Sequence, residues 1–307
     1  MTQIIMHFYY SIVLKTKLFS LARHLCYLNG GGAKIHTKHR SRAKHVRNIS
    51  YKARYSQPHG SHCTIAIREM RFTKSLLNII FPPLCLSCRK HITSSLVLCN
   101  VCEQNITIRG SFSCSQCNSR LPTIQNTCHP NEQFTLAAAT SYDNNVIRAL
   151  IHAFKYGGTK DVLTPLSNII QQYTSSTIES WKLVLENCVV IPIPLYRRRK
   201  RVRGFNQAAL IAEVFIQHLQ GIGNLHIEYG NLIKIRNTLS QTKLNNYEQR
   251  VNNVRDSFVL KYPEQVVGKN VILVDDVFTS GATMKEAVKV LKEAGAKKVV
   301  GFVIARA

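Results

Sequence analysis

Acidic residues are scarce in this sequence. Its 307 residues include 16 Asp and Glu against 41 Lys and Arg, for a formal net charge of +25. The imbalance excludes a neutral surface and favours polyanions as partners, because a strong field of one sign attracts opposite charge. Residues 1–69 hold twelve of the basic residues and one acid, Glu69. The remaining chain, with 29 Lys and Arg against 15 Asp and Glu, is still basic.

A long apolar run is also missing. The apolar segment 4–14 is too short to span a bilayer, and Lys15 and Lys17 interrupt its continuation. No positively charged segment precedes it and no small-residue cleavage site clearly follows, which argues against a secretory signal. We therefore expect no membrane insertion.

Residues 1–69 are interpreted as a disordered or non-native basic extension. Between residues 34 and 54 the chain is rich in His, Lys and Arg and has no apolar periodicity, so it offers no face for a core. Met70 stands where a compact protein could begin. A nucleic-acid-binding arm is the alternative interpretation of this charge run.

Cysteines are frequent and occur in pairs. A Cys-x2-Cys unit is followed after ten residues by a second one, and two such turns can place four thiolates around one Zn²⁺. Paired spacing favours metal in a reducing compartment over disulfides, and a thioredoxin-type redox pair would need only one unit. The sequence therefore predicts a structural zinc site with the ligands Cys85, Cys88, Cys99 and Cys102.

The cysteine spacing then nearly repeats. Cys114 and Cys117 form a third pair and Cys128 follows after ten residues, but Asn131 stands at the fourth position. This pattern predicts a double zinc ribbon, residues 70–132, whose second site has lost one cysteine. His129 could substitute for it. A metal-free second ribbon is the alternative.

From residue 133 onward, strands alternate with amphipathic helices. Aliphatic runs predict the strands, and apolar residues at helical spacing predict the helices between them. This alternation predicts an α/β domain, residues 133–307, with a mostly parallel sheet flanked by helices. The clearest predicted strands are 136–141, 189–191, 271–274 and 299–304.

Segment 271–283 carries the most specific chemistry. A buried strand ends in Asp275 and Asp276, and a loop of small residues then leads into a helix. Backbone N–H groups at a helix N-terminus suit a phosphate, and adjacent carboxylates can accept hydrogen bonds from vicinal ribose hydroxyls. A plain strand-to-helix turn with capping acids is the alternative. The segment predicts a ribose 5-phosphate site whose phosphate is held by Thr279, Ser280, Gly281, Ala282 and Thr283.

The same segment resembles the phosphoribosyl pyrophosphate (PRPP) motif of type I phosphoribosyltransferases. The chain also resembles the ComF family of competence-associated, phosphoribosyltransferase-like proteins, which have an N-terminal zinc ribbon. Two departures are the missing eighth cysteine and Ser280, where threonine is more usual. Besides the cysteines, the resemblance to ComF rests on segments 150–158, 191–195, 203–208 and 236–253, and it covers about residues 76–306.

The resemblance implies a type I phosphoribosyltransferase-like fold with a site for PRPP and Mg²⁺. Asp275 and Asp276 are its candidate catalytic residues. Lys155 and Arg203, in the matching segments, are further candidates for binding PRPP or its phosphates. The resemblance also implies a cytoplasmic protein that handles imported single-stranded DNA during transformation.

Residues 196–203 carry six positive side chains in eight residues. Cations follow a nucleic-acid backbone and nearby aromatic rings can stack on bases, so single-stranded DNA is a suitable partner. A surface loop kept soluble by its charge is one alternative, and arginines that bind pyrophosphate are another. The candidate DNA-binding residues are Arg197, Arg198, Arg199, Lys200 and Arg201.

Three functions follow from these patterns. The first is a DNA-handling protein of natural competence that binds PRPP or ribose 5-phosphate. The second is an active phosphoribosyltransferase of nucleotide metabolism, which would transfer phosphoribosyl from PRPP to a nitrogen nucleophile. It ranks lower because no residue indicates a pocket for a base. The third is a scaffold whose zinc ribbon docks a helicase-like competence partner.

Overall fold

A seven-stranded sheet organises the part of the chain that the structure describes. The structure is a computed structural model, and it describes residues 82–93, 96–126, 128–157, 160–239 and 246–307. All of these residues lie in one compact unit, Gly60–Ala307. Our interpretation of residues 1–69 falls outside the described residues, and the domain boundaries remain predictions.

The strands alternate with helices along most of the chain, as the sequence predicts. Within the described residues the helices are α1 (Asn100–Gln104), α2 (Asn145–Tyr156), α3 (Leu163–Ser176), α4 (Ile178–Leu185), α5 (Arg197–Arg203), α6 (Gln207–His218), α7 (Tyr247–Val254) and α8 (Ala282–Glu293). The strands are β1 (Phe112–Cys114), β2 (Arg120–Leu121), β3 (Thr135–Ser141), β4 (Cys188–Pro192), β5 (His226–Ile227), β6 (Leu232–Lys234), β7 (Phe258–Leu260), β8 (Asn270–Phe278) and β9 (Lys298–Arg306).

The sheet has the order β2-β1-β3-β9-β8-β4-β5. Its five strands from β3 to β5 run parallel, whereas β1 and β2 are antiparallel to their neighbours. Strands β8 and β9 lie at its centre, and their long aliphatic runs are almost entirely buried. Parallel strands covered on both faces need such continuous apolar runs. The predicted mostly parallel α/β fold is therefore confirmed.

The helices beside the sheet bury the apolar stripes expected from their spacing. In α2 the buried residues include Ile147, Leu150 and Phe154. Asn144 caps this helix, because its Oδ1 accepts hydrogen bonds from the backbone N–H groups of Val146 at 2.8 Å and Ile147 at 3.3 Å. A well-capped helix with a buried stripe carries its last turn, and the residues on it, to a fixed place over the sheet.

Residues 197–203 form helix α5, not a loop. The helix ends at Gly204, whose φ of +82° is readily adopted only by glycine. None of its seven residues is fully buried. Along its length Arg199 and Arg203, four residues apart, are half-buried, while the other basic side chains are exposed.

The second zinc-ribbon segment is continuous with the main sheet. Strand β1 pairs antiparallel with β3, with Ser113 opposite Leu136 and Cys114 opposite Thr135. Apolar residues of both ribbons, including Leu98 and Phe112, belong to the same buried cluster as residues of the parallel sheet. The ribbons therefore share a core with the α/β domain.

Five aromatic side chains close this shared core. Trp181 is fully buried, and its ring centroid lies 5.3 Å from that of Phe112 and 5.1 Å from that of Phe215, both at edge-to-face angles. Its indole Nε1 donates a hydrogen bond to Thr177 Oγ1 at 3.0 Å. The cluster is completed by Tyr173 and Phe302.

None of the helices in the described ranges is long and apolar enough to cross a membrane.

We expect Trp181→Ala to lower the free energy of unfolding by about 3–5 kcal/mol, because it removes a large buried side chain and leaves a cavity. Leu183→Ala is the control on the same helix, since 48% of the Leu183 side chain is exposed. It should cost less than about 1 kcal/mol. Chemical denaturation of both variants measures the difference. Similar losses in the two variants would contradict a shared core centred on Trp181.

Candidate functional site

A cavity of about 250 Å³ opens where β8 and β4 end. In parallel α/β sheets the carboxyl ends of the strands meet at one edge, which is where such folds bind ligands. The predicted catalytic and PRPP-binding residues all lie together here. The lining includes Lys155, Tyr156, Arg199, Arg203, Lys234, Asp275, Asp276 and the loop residues 279–283.

The loop after β8 is held in a conformation that requires glycine. Gly281 has a φ of +73° and precedes the first residue of α8, Ala282. A Cβ atom at Gly281 would lie 2.3 Å from Cζ of the Phe278 ring. The Ser280 hydroxyl accepts a hydrogen bond from Ala282 N at 3.4 Å. The loop thus packs on Phe278 and turns the start of α8, with the positive end of its dipole, toward the cavity.

Asp276 forms an ion pair across the cavity floor. Lys155 Nζ, on the last turn of α2, lies 3.0 Å from Asp276 Oδ1. Burial disfavours the charged amine, but the attraction of Asp276 outweighs it and raises the pKa of Lys155. Lys155 therefore stays protonated at neutral pH, and its contact fixes the direction of the Asp276 carboxylate.

Asp275 behaves differently from its neighbour. Burial, reinforced by repulsion from Asp276, raises the pKa of Asp275 to about 7. Its Oδ1 accepts a hydrogen bond from Asp276 N at 2.8 Å, which holds the side chain in place. Near neutral pH this carboxyl group exchanges its proton readily. It can therefore accept hydrogen bonds from hydroxyls, or bind a cation, with little cost of deprotonation.

Arg199, Arg203 and Lys234 line the same cavity as the two carboxylates. Burial and repulsion from Arg199 lower the pKa of Lys234 to about 8, and burial and repulsion from Arg203 lower the pKa of Arg199. Lys234 Nζ lies 5.0 Å from the centroid of the Phe258 ring, and among the described residues it makes no hydrogen bond or ion pair. Half-buried cations that repel one another are costly unless an anion neutralises them.

The two arginines of this group are held by neighbours that leave their charge unpaired. Arg199 donates a hydrogen bond from Nη2 to the carbonyl of Thr238. Arg203 donates from Nη1 to Gln207 Oε1 at 3.3 Å, and its guanidinium carbon lies 5.4 Å from the centroid of the Tyr156 ring. Neither contact involves an acid. The arrangement thus offers an anion cationic partners from α5 and β6, in addition to loop 279–283.

The structure divides the candidate DNA-binding residues into two groups. Arg199 lines the cavity together with Arg203, a predicted phosphate-binding residue. The remaining candidates, Arg197, Arg198, Lys200 and Arg201, are exposed on the outer face of α5.

Sequence reasoning missed Lys234 and Tyr156. Lys234 lies on β6, which pairs antiparallel with β7 outside the main sheet. No sequence signal marks it. Tyr156 follows Lys155 in a segment that already matched ComF, so its position beside a predicted phosphate-binding residue was a usable signal. Its side chain is 57% exposed at the cavity.

The four cysteines of the first ribbon form one cluster. The ligand atoms of Cys85, Cys88, Cys99 and Cys102 all lie within 4.8 Å of one another. The sulfurs of Cys88 and Cys99 are 3.6 Å apart, and Cys99 N donates to Cys85 Sγ at 3.4 Å. Four converging thiolates with backbone donors are the donor set of a structural zinc site.

The second ribbon brings a histidine to the position of the missing cysteine. Cys114, Cys117, Cys128 and His129 also have ligand atoms within 4.8 Å of one another. The Nε2 atom of His129 is buried and has no hydrogen-bond partner within the described ranges, an orphaned atom that fits a metal-ligating ring. Glu132 braces the cluster, because its carboxylate accepts hydrogen bonds from Ser115 N at 2.8 Å and Cys128 N at 3.1 Å. This donor set fits zinc with three thiolates and one imidazole.

Comparisons with known proteins agree with both modules. The chain matches a double zinc ribbon domain over residues 76–130 and a phosphoribosyl transferase domain over residues 228–306. It is 29% identical to "Competence protein F" of Haemophilus influenzae over 236 residues, which is 73% of this chain and 96% of that protein. The predicted resemblance to ComF and the predicted double zinc ribbon are confirmed.

Two further relatives have related names. "DNA utilization protein YhgH" of Salmonella typhi is 28% identical over 231 residues, or 73% of this chain and 97% of that protein. "Competence protein ComFC" of Bacillus subtilis is 27% identical over 164 residues, or 53% of this chain and 61% of that protein.

We expect the purified chain to contain two zinc ions, one for each cluster. Cys88→Ser should release one of them and His129→Ala the other, because each removes a ligand from a closed tetrahedral site. His91→Ala is the control, since His91 is exposed and belongs to neither cluster. Metal analysis by mass spectrometry gives the count. A His129→Ala protein that still holds two zinc ions would contradict the role of His129.

Proposed function

We propose that this chain, a homologue of the ComF-type competence proteins, binds PRPP in the cavity and single-stranded DNA on the outer face of α5. One observation carries the proposal: the cavity combines a phosphate-type loop, two carboxylates and five cationic side chains, among them Arg199, Arg203 and Lys234. Its biological role would then be in natural competence, that is, in DNA uptake and transformation.

The cations of α5 and β6, in addition to loop 279–283, favour PRPP over ribose 5-phosphate alone. PRPP carries a phosphate at C5, hydroxyls at C2 and C3, and a diphosphate at C1. Loop 279–283 would bind the C5 phosphate, and Asp275 and Asp276 would accept hydrogen bonds from the hydroxyls. Arg199, Arg203 and Lys234 are then left for the diphosphate, whose charge would relieve their mutual repulsion.

We include Mg²⁺ in this proposal as a companion of PRPP. Mg²⁺ is usually held by one or two carboxylates together with substrate phosphates rather than by an all-protein cage. Asp275 is suited to this role because its pKa near 7 lets it lose a proton when a cation arrives. Lys155 already neutralises Asp276, so the two acids offer one paired and one available carboxylate.

The outer face of α5 suits a nucleic-acid backbone. Its four exposed basic residues lie beside Val202, of which 82% is exposed. Cations bind the phosphates of a single strand with little dependence on sequence. The name "DNA utilization protein" belongs to a relative of this chain and supports the same partner.

We place the protein in the cytoplasm. All eight cysteines in the described residues are free of disulfides, and seven of them lie in the two metal clusters. Zinc thiolates persist where thiols are kept reduced. A helicase-like competence partner and transfer of phosphoribosyl to a nitrogen nucleophile remain predictions.

We expect Asp276→Asn to weaken PRPP binding by about one to two decades, because it removes a charge-assisted hydrogen bond worth roughly 1.5–3 kcal/mol. Asp256→Asn is the control, since Asp256 is exposed and pairs only loosely with Lys289 at 3.7 Å. Calorimetric titration with PRPP and Mg²⁺ measures both. An Asp276→Asn protein that folds and binds PRPP as tightly as the native chain would refute the ribose assignment.

PRPP affinity should fall as the pH rises through about 8, because only protonated Lys234 attracts the diphosphate. In Lys234→Arg the charge persists, so the affinity should change less between about pH 7 and pH 9. Asp275 titrates in both proteins, so its contribution to the pH dependence of PRPP affinity is largely the same in both. Ribose 5-phosphate, which lacks the diphosphate, should show the same pH profile in both. Identical PRPP profiles would show that Lys234 does not face the diphosphate.

Arg198→Ala combined with Arg201→Ala should lower the affinity for short single-stranded DNA and leave PRPP affinity unchanged, because both side chains lie outside the cavity. The slope of log affinity against log salt should flatten by about 0.7 for each lost phosphate contact. The matched control removes two exposed cations elsewhere, Arg120 and Lys182. Equal losses of DNA affinity in the two double variants would mean that α5 is not the binding surface.

A further inference from the structure

Arg306 is a buried cation that the proposed function leaves unused. It stands near the end of β9, and only 6% of it is exposed. Its Nη1 donates hydrogen bonds to the carbonyl of Cys114 at 2.7 Å and to Ser113 Oγ at 3.3 Å. Cys114 is a member of the second metal cluster. The guanidinium is therefore bonded to the backbone of a residue that would ligate the metal.

The other side of Arg306 faces the strand that leads into the phosphate loop. Its guanidinium carbon lies 5.2 Å from the centroid of the Phe278 ring. The sheet register also pairs Arg306 with Phe278, and Ala307 N donates a hydrogen bond to the carbonyl of Phe278 at 2.9 Å. Arg306 thus fixes both the ring and the backbone neighbourhood of Phe278.

Phe278 in turn supports the loop. Its ring is 4% exposed and lies so close to Gly281 that no Cβ atom fits between them. The loop rests on this ring while it adopts the positive φ at Gly281. A shift of the ring would therefore move the loop, because close-packed side chains transmit displacement.

We propose that Arg306 is a positioning residue that couples metal binding in the second ribbon to the shape of the phosphate loop 279–283. The inference rests on the proposed binding of a ribose phosphate at that loop. Metal at the second cluster fixes Cys114, Cys114 fixes Arg306, and Arg306 holds Phe278 under the loop. Without that metal the Cys114 carbonyl is no longer held in place. Arg306 and Phe278 then lose their fixed positions, and the loop loses its support.

The first cluster provides an internal control, because the residues beside it contact α2 and α3 rather than the loop 279–283. Beside it, Asn105 O accepts a hydrogen bond from Asn144 at the start of α2, and Glu103 accepts one from Asn168 on α3. Within the described ranges, no hydrogen bond or ion pair joins its cysteines to Phe278 or Arg306. Metal loss from the two clusters should therefore have different effects on the loop.

The first experiment replaces Arg306 with methionine and compares it with Arg120→Met, an exposed position on the same ribbon. Ribose 5-phosphate is titrated by calorimetry, and amide hydrogen exchange is followed in residues 279–283. We expect about tenfold weaker binding and faster loop exchange in Arg306→Met, with two zinc ions retained, and no change in Arg120→Met. Arg306→Lys, which keeps the charge but loses the planar guanidinium, replaces Arg306→Met if that protein does not fold.

The second experiment empties one cluster at a time with Cys128→Ser and Cys88→Ser. Cys128 makes no contact with Arg306, so its replacement removes the metal without touching the arginine. We expect Cys128→Ser to reproduce the loss of ribose 5-phosphate affinity and the faster loop exchange, and Cys88→Ser to leave both near native values.

Several outcomes would overturn the inference. Native affinity and native loop exchange in a folded Arg306 variant would show that Arg306 does not couple the second metal cluster to the loop. Equal effects of Cys128→Ser and Cys88→Ser would show that metal loss affects the loop only by destabilising the whole fold. If the native chain binds neither ribose 5-phosphate nor PRPP, the proposed function fails by itself, and loop exchange still tests the role of Arg306.

Discussion

The position of β8 between β9 and β4 is the constraint on which the site depends. Parallel pairing on both sides fixes the register of this strand, with Asp275 opposite Val303 and Val274 opposite Pro192. The strand therefore delivers two carboxylates and then the loop to the same edge of the sheet. Because β8 is buried on both faces from Val271 to Val274, its register rests on this pairing rather than on a single apolar face.

Charges of like sign gathered in a small space give the cavity its chemistry. Burial and repulsion from Asp276 raise the pKa of Asp275, and burial and repulsion from neighbouring arginines lower the pKa of Arg199 and Lys234. Each group would be more stable in water, so the arrangement costs free energy in the absence of a ligand. A ligand with separate anionic groups and intervening hydroxyls offsets that cost at several points.

The sequence predicts the parts of this architecture that depend on local pattern. The aliphatic run of β8, the helices with apolar stripes and the paired cysteines each carry their own signal. Helix α5 has no such local signal, because a run of like charges has no apolar stripe and its side chains repel one another. Lys234 lies on a strand of only three residues, and its place depends on pairing with β7. The Arg306 contact joins residues separated by 192 positions, which no local pattern reports.

The continuity of the ribbon hairpin with the main sheet has a consequence for solubility. Strand β3 is apolar on both faces, with six of its seven residues buried, and β1 occupies its outer edge. Without that cover, β3 would present a row of unpaired backbone groups flanked by apolar side chains, which is a template for intermolecular strand addition. A ribbon held together by metal therefore acts as a shield for the edge of the sheet. Depletion of zinc would then expose this edge of the sheet to intermolecular strand pairing.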